Sequence, residues 1–147
     1  MTGRLTFIVI AAIANLGLGI FVFLKDSPNR INRYFALFSF AVAAWTLSNG
    51  LVSSYAGSES GFVWARFAFA FASLIPITFL WFADVFPTSH PSASPRVLKS
   101  FSVVAAIFCI VSFTPLIVRK TAAIDGALQV VYGPLHLPFA VYLLCCF

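Results

Sequence analysis

The sequence predicts an all-α, polytopic transmembrane helical bundle with one short β-hairpin on its surface. Hydrophobic residues make up 61% of the chain and charged residues only 9%, too few charges to cover a soluble domain of this size. Several uncharged runs are long enough to cross the roughly 30 Å hydrocarbon core of a bilayer as helices. The basic residues behind the net charge of +5 lie at the ends of these runs, where headgroups would be. This placement indicates a lipid bilayer as partner and excludes a nucleic-acid interface.

We predict a single membrane domain over residues 1–147. Its four full spans and partial fifth span are expected at residues 5–24, 30–52, 64–86, 95–118 and 134–147. A basic start at Arg4, followed by the small residues Ala12 and Ala14, also fits a cleaved signal peptide. Hydrophobicity continues to Leu24, however, which favours an uncleaved first span.

Polar and small residues mark the first two spans. Ala11, Asn15 and Gly19 recur at helical spacing, so we expect another helix to pack there, with the Asn15 amide bonding across the contact. Ser27-Pro28 has the form of an N-cap and first residue, which predicts the start of the second helix. Trp45 lies deep in the second span, where a tryptophan normally packs between helices.

The third span carries three further candidate residues. Arg66 lies beside Trp64 near its predicted start, in the manner of an interfacial anchor. Pro76 removes one backbone hydrogen bond and predicts a kink. Asp84 lies near the other end, too far along one helix to pair with Arg66, so we expect it to pair with the basic turn after span 1.

Proline, serine and turn residues predict the structure of the remaining segments. Ser94-Pro95 repeats the cap-and-start pattern and predicts the start of span 4. An Asp125-Gly126 pair between short β-prone runs predicts a two-stranded hairpin near residues 121–132, lying on the membrane surface. The partial fifth span reaches only about 21 Å, which indicates a truncated gene or a fragment of a longer chain.

The distribution of lysine and arginine gives an orientation. Five of them follow spans 1 and 3 and four lie on the other side, and the turn between spans 1 and 2 is the most basic loop. Because the first hairpin usually dominates, we expect a multi-pass protein of the cell membrane with its N-terminus outside.

The order of several motifs resembles one family, the N-terminal seven-transmembrane region of bacterial sensor histidine kinases. The residues that carry the resemblance are Asn15, FLKD (23–26), NRINRYF (29–35), Trp45, WAR (64–66), FA (82–83), FP (86–87) and YGP (132–134). The resemblance covers about four and a half helices of that region. It implies an extracellular N-terminus and a sensory input module whose relatives lead into a kinase or a diguanylate cyclase.

The resemblance implies a sensory input module of a two-component signalling protein, and the chain is expected to lack the kinase output domain and not to be an enzyme. Candidate structural or signal-transmitting residues are Asn15, Trp45, Arg66, Pro76 and Asp84; we expect no catalytic residue, metal or cofactor. A homodimer or association with other membrane helices is expected, with the ligand unknown. The alternatives are a small transporter or channel subunit, a membrane enzyme, and a non-functional gene remnant; scattered acidic residues disfavour the enzyme.

Overall fold

A computed structural model describes residues 2–86, 94–124 and 127–145. The elements in chain order are α1 (Thr2–Lys25), α2 (Arg30–Ser54), α3 (Glu59–Val85), α4 (Pro95–Val111), β1 (Val118–Ile124), β2 (Ala127–Tyr132) and α5 (His136–Cys145). Within the described part, three helices are long and apolar enough to cross a membrane, over Gly3–Lys25, Arg30–Ser54 and Glu59–Val85. The helical bundle and its small sheet are therefore confirmed, whereas four full spans and a partial fifth are not.

The fourth predicted span begins at the right residue but was extended too far. We expected it to reach residue 118, but α4 ends at Val111 and rises only about 26 Å. The hydroxyls of Ser112 and Thr114 donate back to the carbonyls of the preceding turn, at 2.7 Å each. Pro115 then lacks an N–H and disfavours helical geometry in the residue before it. The chain consequently turns, and Val118 begins a strand instead of ending a helix.

Of the two helix starts predicted from Ser-Pro pairs, one is confirmed and the other is wrong. Ser94 is the N-cap of α4 with Pro95 at its first position, as predicted. The corresponding prediction at Ser27-Pro28 was wrong, because α2 begins at Arg30. Asn29 is its N-cap, and its side-chain oxygen accepts a hydrogen bond of 2.9 Å from the amide of Ile31.

Glycine allows α1 and α2 to approach closely. A Cβ at Gly19 would lie 2.8 Å from the Cβ of Ser39, and one at Gly50 would lie 2.6 Å from Ile8 Cγ2. Ala12 is buried in this contact, whereas Ala11, which we expected there, is exposed. Small residues thus hold the first hairpin together, as is usual between membrane helices.

Aromatic pairs align α2 with α3 in antiparallel fashion. Their ring centroids lie 5.7–6.4 Å apart, within the range of favourable edge-to-face or tilted packing. The pairs are Tyr34–Trp81, Phe35–Phe82, Phe38–Phe79 and Phe40–Phe71. This register places the start of α2 beside the end of α3.

The predicted β-hairpin is present as an antiparallel pair of strands, with Val118 opposite Tyr132 and Ile124 opposite Ala127. Its expected turn residues, Asp125 and Gly126, lie outside the described residues. After β2, the amides of Gly133 and Leu135 donate to the carbonyls of Ile117 and Leu116, at 2.8 and 3.0 Å. These bonds hold the start of α5 against the turn that precedes β1.

The buried core lies between α2, α3, β1 and α5. One cluster contains Val52, Ala65, Ile117, Val118 and Phe139. It places the hairpin beside the end of α2 and the start of α3, which form the same end of the bundle. A second cluster, around Ile77, Ala105 and Tyr142, joins α3 to α4 and α5.

The outside of the bundle is apolar. Phe7 is 76% exposed, Ile110 70% and Leu144 79%, and only 11% of the apolar window of α1 is buried within the chain. A monomeric protein in water rarely exposes so much contiguous apolar surface. A bilayer covers it, and this agrees with the composition.

Candidate functional site

A cavity of about 350 Å³ lies in the bundle between α2, α3 and α5. Its lining comprises Trp45 and Asn49 from α2, Ala68, Phe69, Ala72, Ile75 and Pro76 from α3, and Phe139 and Leu143 from α5. The volume lies within the range of small-molecule pockets, which are mostly apolar with a few polar groups. Two of the predicted candidate residues, Trp45 and Pro76, meet here.

Two residues of α2, Trp45 and Asn49, form one side of the cavity. The amide nitrogen of Asn49 donates 2.8 Å to the backbone carbonyl of Trp45, which fixes the Asn49 side chain to its own helix. Among the described residues, neither Oδ1 of Asn49 nor the indole N–H of Trp45 has a hydrogen-bond partner. Trp45 is 40% exposed, so it borders the cavity instead of being enclosed between helices as expected.

Pro76 deprives one residue of the cavity lining of a backbone hydrogen bond. A proline has no N–H, so the carbonyl of Ala72 cannot receive the usual hydrogen bond from the residue four positions later. Ala72 lines the cavity and Pro76 is buried inside the continuous helix α3. Backbone acceptors freed in this way within a membrane need another partner, such as water, a side chain or a ligand.

The wall formed by α5 rests on a few specific contacts. The hydroxyl of Tyr142 donates 2.8 Å to the buried backbone carbonyl of Ser73. Phe139 packs edge-on against Phe69 of α3 and against Phe108 of α4, with centroids 5.5 and 5.4 Å apart. These contacts flank the cavity, so a shift of α5 changes its shape.

The end of the hairpin is connected to the same wall by aromatic rings. His136, the first residue of α5, stacks on Tyr132 at 3.8 Å, and Phe69 meets both rings edge-on. Nδ1 of His136 is buried and has no hydrogen-bond partner in the described part of the chain. A Cβ at Gly133, between the two stacked residues, would overlap the carbonyl of Leu116. The YGP motif therefore corresponds to a close backbone approach beneath a ring stack.

Arg66 lies deeper than the sequence predicted. Because α3 begins at Glu59 and not near Trp64, Arg66 is about 10 Å into the helix. Its guanidinium carbon lies 4.2 Å from the centroid of the Phe62 ring, a cation–π contact. Its Nε is buried without a hydrogen-bond partner among the described residues.

The two other candidate residues lie away from the cavity. Asn15 donates 3.0 Å to the carbonyl of Ala11 in its own helix, so the described bond does not cross to α2. Asp84 lines a separate hollow of about 220 Å³ with Leu98 and Cys145. The structure thus brings Trp45 and Pro76 together and leaves Asn15, Arg66 and Asp84 in three other places.

Sequence reasoning did not identify Phe69, Phe139 and Tyr142 as members of one site. Each lies in an apolar run that is full of similar side chains, so only the packing of α5 on α3 distinguishes them. The YGP motif was a usable signal, because a glycine between a tyrosine and a proline indicates a tight approach at the start of α5.

Comparison with known proteins agrees with this architecture. The sequence model of one family, the N-terminal 7TM region of histidine kinase, matches residues 7–147. No curated protein and no solved structure matches the chain. The family match covers nearly the whole chain, and it contains the YGP turn and all of the long apolar helices except the first residues of α1. The chain therefore belongs to the N-terminal 7TM region family of histidine kinases, a membrane sensory input region.

Proposed function

We propose that this chain is the membrane-embedded sensory input module of a bacterial two-component signalling protein, in which a signal shifts α5 against α3. The observation that carries the proposal is the cavity between α2, α3 and α5. One wall of this cavity, α5, is joined to α3 by the Tyr142–Ser73 hydrogen bond and by the ring contact between Phe139 and Phe69. A small shift at such a site can be passed on as a discrete repacking of helices.

The expected arrangement in the membrane completes the proposal. The N-terminus and the end of the bundle that carries the hairpin face outward, and the basic turn around Arg30 and Arg33 faces inward. Helices α4 and α5 contribute to the membrane bundle together with the three long helices. The protein is then a multi-pass protein of the cell membrane, with its input region outside or within the bilayer.

The proposed role is sensory input. The described residues contain no group of three or more metal-ligating side chains, and none of those that line the cavity is charged. A transporter or channel subunit would place ionisable groups near the membrane midplane. The cavity therefore favours sensing over transport, and substrate flux in proteoliposomes would revive the alternative.

A chimaera tests the sensory role. Residues 7–147 would replace the matching region of a complete histidine kinase of the same family, and autophosphorylation would be measured in membrane vesicles. We expect Tyr142→Phe and Pro76→Ala to change basal autophosphorylation at least about fivefold, a typical coupling between sites. Tyr55→Phe is the matched control, since Tyr55 is exposed at the end of α2. Output that is identical in all variants would contradict the proposal.

Accessibility of single cysteines tests the orientation. In a variant with Cys109, Cys145 and Cys146 replaced by alanine, a cysteine at Ser58 should react with a membrane-impermeant maleimide on intact cells. One at Ser27 should react only after permeabilisation. The reverse pattern would invert the assigned orientation, and reaction of both on intact cells would contradict the first hairpin.

A further inference from the structure

We propose that the cavity between α2, α3 and α5 binds a small neutral molecule that partitions into the membrane and carries one N–H or O–H donor on a flat apolar body. This inference rests on the proposed sensory function, since it names the class of signal that the cavity would receive. The volume, the charge and the polar groups of the lining each limit the ligand.

The volume sets the size of the apolar body. A dry cavity of roughly 150 Å³ is enough to hold benzene, and this one is about 350 Å³. A fused two-ring body therefore fits. Aromatic side chains on two walls, Phe69 and Phe139, would face a flat ligand with their edges or faces.

The lining excludes a charged ligand. Every described residue that borders the cavity is uncharged, and a charge in an apolar site without a partner costs several kcal/mol. Access through the bilayer is open to neutral molecules, because Trp45 is partly exposed on the outside of the bundle.

The polar groups of the lining favour a ligand that donates a hydrogen bond. Two residues of the lining carry an acceptor that a ligand could use. These are the exposed Asn49, whose side-chain oxygen has no partner among the described residues, and Ala72, whose carbonyl Pro76 deprives of its helical bond. An acceptor that stays unpaired in an apolar environment is costly, so a ligand that donates to either gains affinity over one that cannot. The indole N–H of Trp45 offers a second, optional contact to a ligand acceptor.

A second hollow provides an internal comparison. It measures about 230 Å³ between α1 and α2 and is lined by apolar side chains such as Ile13, Phe40 and Leu47. Because its lining has no polar side chain, this hollow cannot distinguish a ligand with a hydrogen-bond donor from one without. A lipid acyl chain is sufficient to fill it. The contrast locates selectivity at Asn49 and Ala72.

The test uses 5-fluoroindole, a neutral two-ring compound with one N–H, and the full chain in phosphatidylcholine nanodiscs. Fluorine NMR line broadening would be titrated against empty nanodiscs. We expect saturable binding, weakened about tenfold in Asn49→Leu, in Pro76→Ala, or in both. The N-methylated probe, which lacks the donor, should also bind about tenfold more weakly to the unaltered chain.

Asn15→Leu is the matched control. Asn15 and Asn49 each donate to the carbonyl four residues earlier in their own helix, so both substitutions remove the same local bond. Only the change at Asn49 should alter binding. The methylated probe needs no variant, so the test holds even if a substitution reduces folding.

Several outcomes would overturn the inference. One is equal uptake of the probe by empty nanodiscs and by nanodiscs that hold the chain. The others are equal affinity of the chain for the parent and methylated probes, and unchanged affinity for the probe in both Asn49→Leu and Pro76→Ala. Displacement of the probe by oleic acid at lower concentration than by unlabelled indole would assign the cavity to an acyl chain. Loss of binding in nanodiscs that hold two chains would assign it to a second copy. None of these results depends on kinase output, so failure here leaves the chimaera experiment unaffected.

Discussion

The Tyr142 hydroxyl donates a hydrogen bond of 2.8 Å to the backbone carbonyl of Ser73, and this bond joins α5 to α3. Tyr142 and Ser73 are both buried. Ser73 lies next to Ala72 and three residues before Pro76, so the bond is made beside the cavity. It is a buried side-chain hydrogen bond in an interface made largely of apolar side chains, and its loss therefore has a distinct effect.

Tyr142→Phe should lower the free energy of unfolding by about 1 kcal/mol, because one buried hydroxyl bond is lost while the ring contacts remain. It should also broaden the distance distribution between spin labels at Leu37 and Leu144 in a chain whose native cysteines are replaced by alanine. Double electron–electron resonance in nanodiscs measures that distribution. Tyr55→Phe should alter neither quantity, and an unchanged distribution in Tyr142→Phe would show that the bond does not restrain α5.

Gly133→Ala should destabilise the protein by about 1–3 kcal/mol, since an added Cβ would overlap the carbonyl of Leu116. The substitution displaces the start of α5 from the turn before β1. Thermal unfolding in detergent, followed by circular dichroism, measures the effect. Gly3→Ala, at a position where an added Cβ meets nothing within 4 Å, should be harmless; equal melting temperatures for the two variants would refute the close approach.

Gly19→Val should separate α1 from α2, because a Cβ at this position would lie 2.8 Å from that of Ser39. We expect a loss of about 1–3 kcal/mol, read as a lower transition in an SDS titration. Gly17→Val lies two residues away on an exposed surface and should leave the transition in place. Similar shifts in both variants would mean that helix propensity, not packing, sets the result.

Asp84→Asn should reduce the yield of folded protein. It should also lower the free energy of unfolding by about 1 kcal/mol or less. The Tyr34–Trp81 contact places the start of α2 beside the end of α3, which is the arrangement required if Asp84 pairs with Arg30 or Arg33. Size-exclusion profiles of the membrane extract measure the yield. Asp26→Asn, in the exposed turn after α1, serves as control; a normal yield for Asp84→Asn counts against a structural ion pair.

The parts of the fold that follow from local chemistry were predictable from the sequence. Uncharged runs predicted the three long helices, Ser94-Pro95 predicted the start of α4, and the β-prone runs on either side of Asp125-Gly126 predicted the hairpin strands. In each case the signal lies in a short stretch of sequence: an uncharged run, a proline at the first helical position, or a pair of β-prone runs.

Features that depend on competing local signals were less predictable. Asn29 and Ser27 both offer a cap, and only the bond to the Ile31 amide shows that Asn29 is used. Thr114-Pro115 ends α4 early, although hydrophobicity continues to Val118. Similarly, Glu59 starts α3 because Ser58 caps it, which leaves Arg66 inside the helix instead of at its end.

The cavity could not be predicted from sequence, because it depends on how three helices converge. Trp45 and Pro76 were identified individually, as a deep tryptophan and a helix-breaking residue. Their meeting depends on the antiparallel register of α2 and α3 and on where the hairpin places α5. Phe139 and Leu143 complete the wall only through that placement.

The uneven burial of α1 has an evolutionary consequence. Lipid tails require apolar side chains at the outward positions of this helix but do not select their shape. Phe7, Ile13 and Phe21 can therefore be replaced by other hydrophobic residues. Gly19 is held to the smallest side chain by Ser39, a constraint that hydrophobicity cannot replace. Among descendants of this gene, we expect the two sides of α1 to diverge at very different speeds.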